Sequence, residues 1–191
     1  MFDILNKEPI EIWTDGSSSN NKTRCAGWAS ILKYKNHVRE HWGGFEPDTT
    51  NQQTEVYSVL YGLKEIKTTD IPIKVHSDSA YLINCMKEDW VNKKWKMNGW
   101  INSQGQPVSN KQLWIELKDV ASRQLYIEWI KVKGHIDIPL NERADDLAVK
   151  GRHDIEVKLG LRDSKLENEC TCKICKKTTT KNQGIFKCWD I

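Results

Sequence analysis

The chain has 191 residues, 38% of them hydrophobic, and a formal net charge of +3. That length suits one domain of ordinary size with a short appendix, and the apolar content is enough for a sizeable core. There is no long apolar run, so no membrane span is expected, and the mild charge makes no general electrostatic case for nucleic-acid binding. The N-terminal residues lack both the basic start and apolar stretch of a signal peptide and the arginine richness of a mitochondrial presequence. A cytoplasmic protein is expected, or a nuclear one if the source is eukaryotic or viral.

Residues 8–15 alternate Ile10, Ile12 and Thr14 with Glu11 and Trp13, as a half-buried strand does. A polar loop follows at 17–24. Residues 26–34 and 38–45 read as the second and third strands of an antiparallel meander, with a turn near Lys35 and Asn36. After the polar stretch 46–53, residues 54–67 place Val56, Val59, Leu60, Leu63 and Ile66 on one helical face. Residues 71–77 read as a fourth strand and 79–87 as a helix. Residues 110–122 form a helix with Leu113, Trp114 and Leu117 inward, and 125–132 alternate as a fifth strand. A final helix spans 141–151, stopped by Gly151. The order predicts an α/β domain over residues 1–152, a mixed sheet covered by helices. A polar linker occupies 153–169 and a cysteine-containing tail 170–191.

Four acids stand in settings that aim them at a common point. Asp15 closes the first strand and opens the turn Asp15-Gly16-Ser17. Asp78 closes the fourth strand, Glu55 lies in the first turn of the helix at 54–67, and Asp145 lies in the last helix. Gathered carboxylates repel one another and call for cations; hard divalent ions such as Mg²⁺ suit an all-oxygen set. Turn and cap chemistry alone also places aspartate at positions such as 15 and 78. Helix phase does not separate Asp145 from its neighbour Asp146.

Between Lys87 and Lys111 five lysines outweigh Glu88 and Asp89, and Trp90, Trp95 and Trp100 are interleaved with them. Lys93, Lys94 and Lys96 suit phosphates, and the indoles suit sugars or bases. The alternative is a solvated basic helix whose tryptophans reach back into the core. Cys25 and Cys85 are isolated and read as buried, inert thiols. Cys170, Cys172, Cys175 and Cys188 fall within nineteen residues. They supply the four thiols of a tetrahedral Zn²⁺ site, or else are incidental to a lysine-bearing tail.

Five phrases occur in order: Thr14-Asp15-Gly16-Ser17, Thr54-Glu55, Ser77-Asp78-Ser79, Val132-Lys133-Gly134-His135, and Asn141-Glu142-Arg143 through Asp145. Together they resemble the cellular type 1 ribonucleases H, endonucleases that cut the RNA strand of RNA–DNA hybrids, and the likeness covers residues 8–152. It implies the ribonuclease H-like fold, one five-stranded mixed sheet with helices on both faces. It also implies two Mg²⁺ ions, with Mn²⁺ as a substitute, and products with 5′-phosphate and 3′-hydroxyl ends. On the resemblance Asp15 bridges both ions, Glu55 and Asp78 complete the shell of one, and Asp145 that of the other. The spacing from Asn141 in relatives favours Asp145 over Asp146. His135 corresponds to a loop histidine that assists proton transfer or product release, as an imidazole is suited to do.

For the RNA–DNA hybrid, the resemblance nominates Asn21, Asn51 and Gln52 as readers of the sugars. It nominates Thr50 and Asn110 as holders of a DNA-strand phosphate, and Trp90 as a platform for DNA sugars. Three departures stand out. Asp48 replaces an arginine common in relatives and is expected to weaken the grip on the DNA strand. Ala80 replaces a glutamine frequent in bacterial relatives. Four residues separate Trp90 from Trp95 where many relatives have three, which on an α-helix turns the second indole by about 100°. A catalytically silent hybrid-binding module is the rival reading, opposed by four mutually repelling carboxylates placed near phosphate. Another nuclease of the same fold is a nearer rival, opposed by the Gly134-His135 loop and the basic tryptophan segment. A monomer is the default expectation.

Overall fold

The computed structural model describes residues 6–19, 24–134 and 138–162, together with the backbone of 170–171 and 178–179. The elements in chain order are β1 (Ile10–Ser18), β2 (Ala26–Tyr34), β3 (His37–Phe45), α1 (Asn51–Glu65), β4 (Ile73–Ser77) and α2 (Ala80–Lys87). A π-helical turn (Val91–Lys96), α3 (Lys111–Ser122), β5 (Ile127–Lys131) and α4 (Pro139–Lys158) follow. Two further two-residue strands, β6 (Cys170–Thr171) and β7 (Thr178–Thr179), pair with each other. The main sheet has the order β3-β2-β1-β4-β5. Strands β1, β2 and β3 are antiparallel, joined at one end by the two-residue turn Lys35-Asn36, and β4 and β5 run parallel to β1. This is the expected five-stranded mixed sheet.

Alternation along the strands sorts the core into two layers. Ile10 and Ile12 of β1 and Ile73 and Val75 of β4 pack with Val59, Leu60 and Leu63 of α1 and with Trp114 and Leu117 of α3. On the other face Ala29 and Ile31 of β2 meet Ala144, Leu147 and Ala148 of α4. Helices therefore cover both faces. The buried Arg143 of α4 ties this second layer to β3 through a forked pair with Glu40, at 2.8 and 3.0 Å.

Three of the boundaries that differ from the sequence reading bear on the site or the packing. β1 runs three residues past Asp15, because its antiparallel ladder with β2 continues to Ser18↔Ala26 after its parallel ladder with β4 has ended at Thr14↔Ser77. Asp15 therefore sits inside a strand instead of closing one. α1 begins at Asn51, capped by Thr50 in a capping box with Gln53, so Glu55 lies in its second turn. α4 passes through Gly151 to Lys158, making residues 153–158 helical where a linker was expected. Gly151 does not stop the helix. A Cβ there would lie 2.2 Å from the Gly43 carbonyl oxygen, and one on Gly44 would lie 2.2 Å from the Gly151 carbonyl oxygen. The missing side chains let the helix backbone rest directly on β3.

The extra residue before Trp95 is absorbed by the π-helical turn, whose wider winding accommodates an insertion without unravelling the helix. Trp95 is consequently buried in a ring cluster, with centroids 5.5 Å from Trp114, 6.2 Å from Trp90 and 6.3 Å from Trp100. It is a core residue.

Candidate active site

The site lies where the parallel ladder runs out. Asp15 and Asp78 each directly follow one member of the terminal pair Thr14↔Ser77 on neighbouring strands. The Ser79 amide donates to Ser77 Oγ at 3.1 Å, which turns the chain at Asp78. Glu55 arrives from α1, and its approach depends on Gly16: a Cβ there would lie 2.4 Å from Thr54 Oγ1 and 2.8 Å from the Glu55 amide nitrogen. One carboxylate oxygen from each of Asp15, Glu55 and Asp78 lies within 4.8 Å of the others. Asp145, from α4, sits close enough for its negative charge to raise the Asp15 carboxyl.

The electrostatics are those of acids held together in a dry place. Burial, followed by the negative charges of Asp78 and Asp145, pushes the Asp15 carboxyl up to about 8, against the hydrogen bond it accepts from the Gly16 amide at 2.8 Å. Burial, then Asp15 and Asp78, holds Glu55 well above the carboxylate range, with Lys131 acting in the opposite direction. Glu55 Oε2 is buried and has no hydrogen-bond partner among the described residues. An unpartnered buried acceptor beside two further carboxylates fits a hard divalent cation such as Mg²⁺ or Mn²⁺, which takes oxygen ligands and cancels the repulsion.

His135 and Asn21 lie outside the described residues, as do Cys172, Cys175 and Cys188. The loop that leads to His135 begins against the site, since a Cβ on Gly134 would fall 2.6 Å from Asp78 Oδ2. Of the tail cysteines only Cys170 is described, its backbone paired with Thr179 across β6 and β7.

Gln52, Trp90 and Lys94, nominated separately from sequence, line one groove of about 680 Å³ with Tyr81, Trp95 and Asn102. Lys94 is already engaged there, its Nζ 4.2 Å from the Trp90 ring centroid and 3.1 Å from Glu88. Lys93 and Lys96 are exposed and lie outside the groove lining. Thr50 accepts from the Gln53 amide at 3.3 Å and donates to Gln53 Oε1 at 3.1 Å, so its hydroxyl serves the helix cap. Asn51 is exposed and opens α1. Asn110 precedes α3 at φ +59°, and its amide makes no capping hydrogen bond. Two groups near these sites escaped the sequence reading. Tyr81 is the second residue of α2, with its ring 5.6 Å from that of Trp114. Lys131 ends β5 in register with Ser77. Their only sequence signal is position at an element end close to Asp78.

The fold has solved counterparts. The N-terminal RNase H domain of a Mycobacterium tuberculosis protein, fused to maltose-binding protein, matches with a TM-score of 0.61 at 19% identity, covering 80% of this chain and 99% of that one. A foamy viral protease-reverse transcriptase in complex with an RNA/DNA hybrid matches with a TM-score of 0.66 at 21% identity, covering 77% of this chain and 20% of that one. This sheet order defines a protein of the ribonuclease H-like fold, with its acids gathered at the end of the central strand. The family model described as RNase H matches residues 7–153. The Ribonuclease H of Symbiobacterium thermophilum is 42% identical over 139 residues, and that of Acetivibrio thermocellus 45% over 139 residues; each match covers 73% of this chain and 91% of the relative. The chain belongs to the ribonuclease H family as a type 1 member, and is an endoribonuclease.

Proposed function

We propose that the chain hydrolyses the RNA strand of RNA–DNA hybrids by two-metal-ion catalysis, leaving 5′-phosphate and 3′-hydroxyl ends. The observation that carries this reading is the cluster of Asp15, Glu55 and Asp78 within 4.8 Å, with a buried, unpartnered oxygen on Glu55, in a chain of this family. A solved structure of the same fold is in complex with an RNA/DNA hybrid.

Asp15, Glu55, Asp78 and Asp145 would hold two Mg²⁺ ions, with Mn²⁺ able to replace them. When bound, the ions activate water and stabilise the attacking and leaving oxygens. The protein's part is to keep these acids gathered, so that metal binding displaces protons that Asp15 and Glu55 would otherwise retain. His135 carries a proton to or from the departing group at its imidazole. Asn21, Asn51 and Gln52 read the sugars of the hybrid, and Trp90 packs on the DNA strand. Thr50, Lys93, Lys94, Lys96 and Asn110 hold phosphates, with Lys94 exchanging Glu88, and Thr50 its Gln53 Oε1 contact, for the substrate. The enzyme acts as a cytoplasmic monomer, with residues 1–152 as the catalytic unit. Residues 170–191 form a small Zn²⁺ unit through Cys170, Cys172, Cys175 and Cys188.

The test is cleavage of a labelled RNA–DNA hybrid in Mg²⁺, beside duplex RNA, duplex DNA and the Asp15→Asn variant. Cutting confined to the RNA strand of the hybrid and lost in the variant is expected. Tight hybrid binding without cutting in either Mg²⁺ or Mn²⁺ refutes the reading. Metal analysis of the purified chain tests the tail separately, with one zinc per chain expected and none after Cys172→Ser and Cys175→Ser.

A further inference from the structure

The sequence reading made Asp48 a liability, an acid where a strand phosphate is to be held. The structure pairs it. Arg24 Nη2 lies 2.9 Å from Asp48 Oδ1, and both side chains are about 70% exposed, at 68% and 71%. Both residues take positive φ, +48° for Arg24 and +81° for Asp48, a conformation that side-chain-bearing residues adopt at a cost. An ion pair this exposed contributes little to folding. Its effect is positional: it spans two separate loops, one leading into β2 and the other into α1, and holds a planar guanidinium in water between them.

Both loops lie at the acid end of the sheet. Asp15 pairs with Ala29, and Arg24 stands five residues before Ala29 on that side of the hairpin. Ala26, the first residue of β2, pairs with Ser18 at the end of β1, and Arg24 stands two residues before it. Asp48 stands two residues before the Thr50 cap of the helix that carries Glu55. A nucleic-acid strand bound at the acid cluster would reach this loop pair if it ran past the end of the hairpin. A guanidinium has five donors in a fork, enough to stay on a carboxylate while binding a phosphate.

We propose that Arg24 binds a backbone phosphate of the hybrid and that Asp48 is its positioning residue. The assignment rests on the hybrid-cleavage reading above. Asp48 then faces the strand neutralised by its partner, and its net effect on binding is favourable.

The experiment compares wild type with Arg24→Ala, Asp48→Ala and the double variant, measuring kcat and KM on the hybrid across a salt series. Arg24→Ala is expected to raise KM about three- to tenfold with kcat unchanged, and to reduce the slope of log KM against log salt by about one, the signature of one lost phosphate contact. Asp48→Ala should raise KM while Arg24 is present and lower it in the Arg24→Ala background, where only repulsion is left to remove. An unchanged KM and salt slope in Arg24→Ala overturns the proposal. So does an Asp48→Ala variant that binds more tightly in both backgrounds. If wild type does not cut the hybrid, the cleavage reading has failed. Hybrid affinity by fluorescence anisotropy in EDTA then reads the Arg24 contact directly, with the same slope change expected and its absence overturning the proposal.

Discussion

Replacing Asp15 by asparagine removes a charge that its surroundings oppose. Its carboxyl is raised from 3.8 to about 8, so between those values the folded protein keeps a proton that the unfolded chain has released. Stability must therefore fall as pH rises through this window, by about 1.4 kcal/mol per pH unit. Below the unfolded value both states are protonated and the group contributes nothing. Across the whole window the loss reaches about 6 kcal/mol, a large part of the roughly 5–15 kcal/mol that holds a domain together. Asparagine has nearly the same shape and no charge. It escapes this loss and forfeits about 1 kcal/mol of hydrogen bonding. Without divalent ions, Asp15→Asn should thus be more stable than wild type by several kcal/mol at the top of the window, and no more stable at its acid end. Urea unfolding in EDTA at three pH values measures this directly. Adding Mg²⁺ should reverse the order, because a ligand bound only by the folded state stabilises it, and the variant has lost a ligand. Parallel loss of stability by the two proteins from acid to neutral pH in EDTA would refute the reasoning.

The remaining predictions address the scaffold. Gly16→Ala places a methyl 2.4 Å from Thr54 Oγ1; it should cost about 1–3 kcal/mol by overpacking and lower kcat by displacing Glu55, read by urea unfolding and hybrid cleavage. Arg143→Met leaves the buried Glu40 carboxylate without its forked partner and should cost about 3–5 kcal/mol, with Glu40→Gln in the same chain recovering part of the loss in a thermal melt. Trp95→Ala should cost about 3–5 kcal/mol from the core, whereas Trp90→Ala should spare stability and raise KM. Gly134→Ala should lower activity without unfolding the protein, because its methyl meets Asp78 Oδ2 at 2.6 Å; kcat together with a circular dichroism spectrum separates the two effects.

The strand order along the chain, the amphipathic faces and the four acids with their local phrases were legible in the sequence. Strand alternation and helical periodicity are local, and they delimit the elements that carry or adjoin each acid. Glycine was not legible in this way. Gly151 looked like a helix stop, yet it is a helix interior where a side chain would strike β3, a contact set by residues a hundred positions away. The inserted residue before Trp95 predicted a misdirected indole, and the aromatic cluster resolved it with a π-helical turn. The pairing of Asp48 with Arg24 at 2.9 Å was not legible either, since the two lie on separate loops. Asp145 and Asp146 could not be separated by helix phase, and the seating of α4 on the sheet brings Asp145 near enough for its charge to act on Asp15. The sequence by itself determined which elements form and which residue types could do the chemistry, because hydrophobic period and turn propensity act over a few residues. The tertiary structure alone decided which side chains share a charge, a cavity or a contact, because those depend on the close approach of backbones distant in the chain.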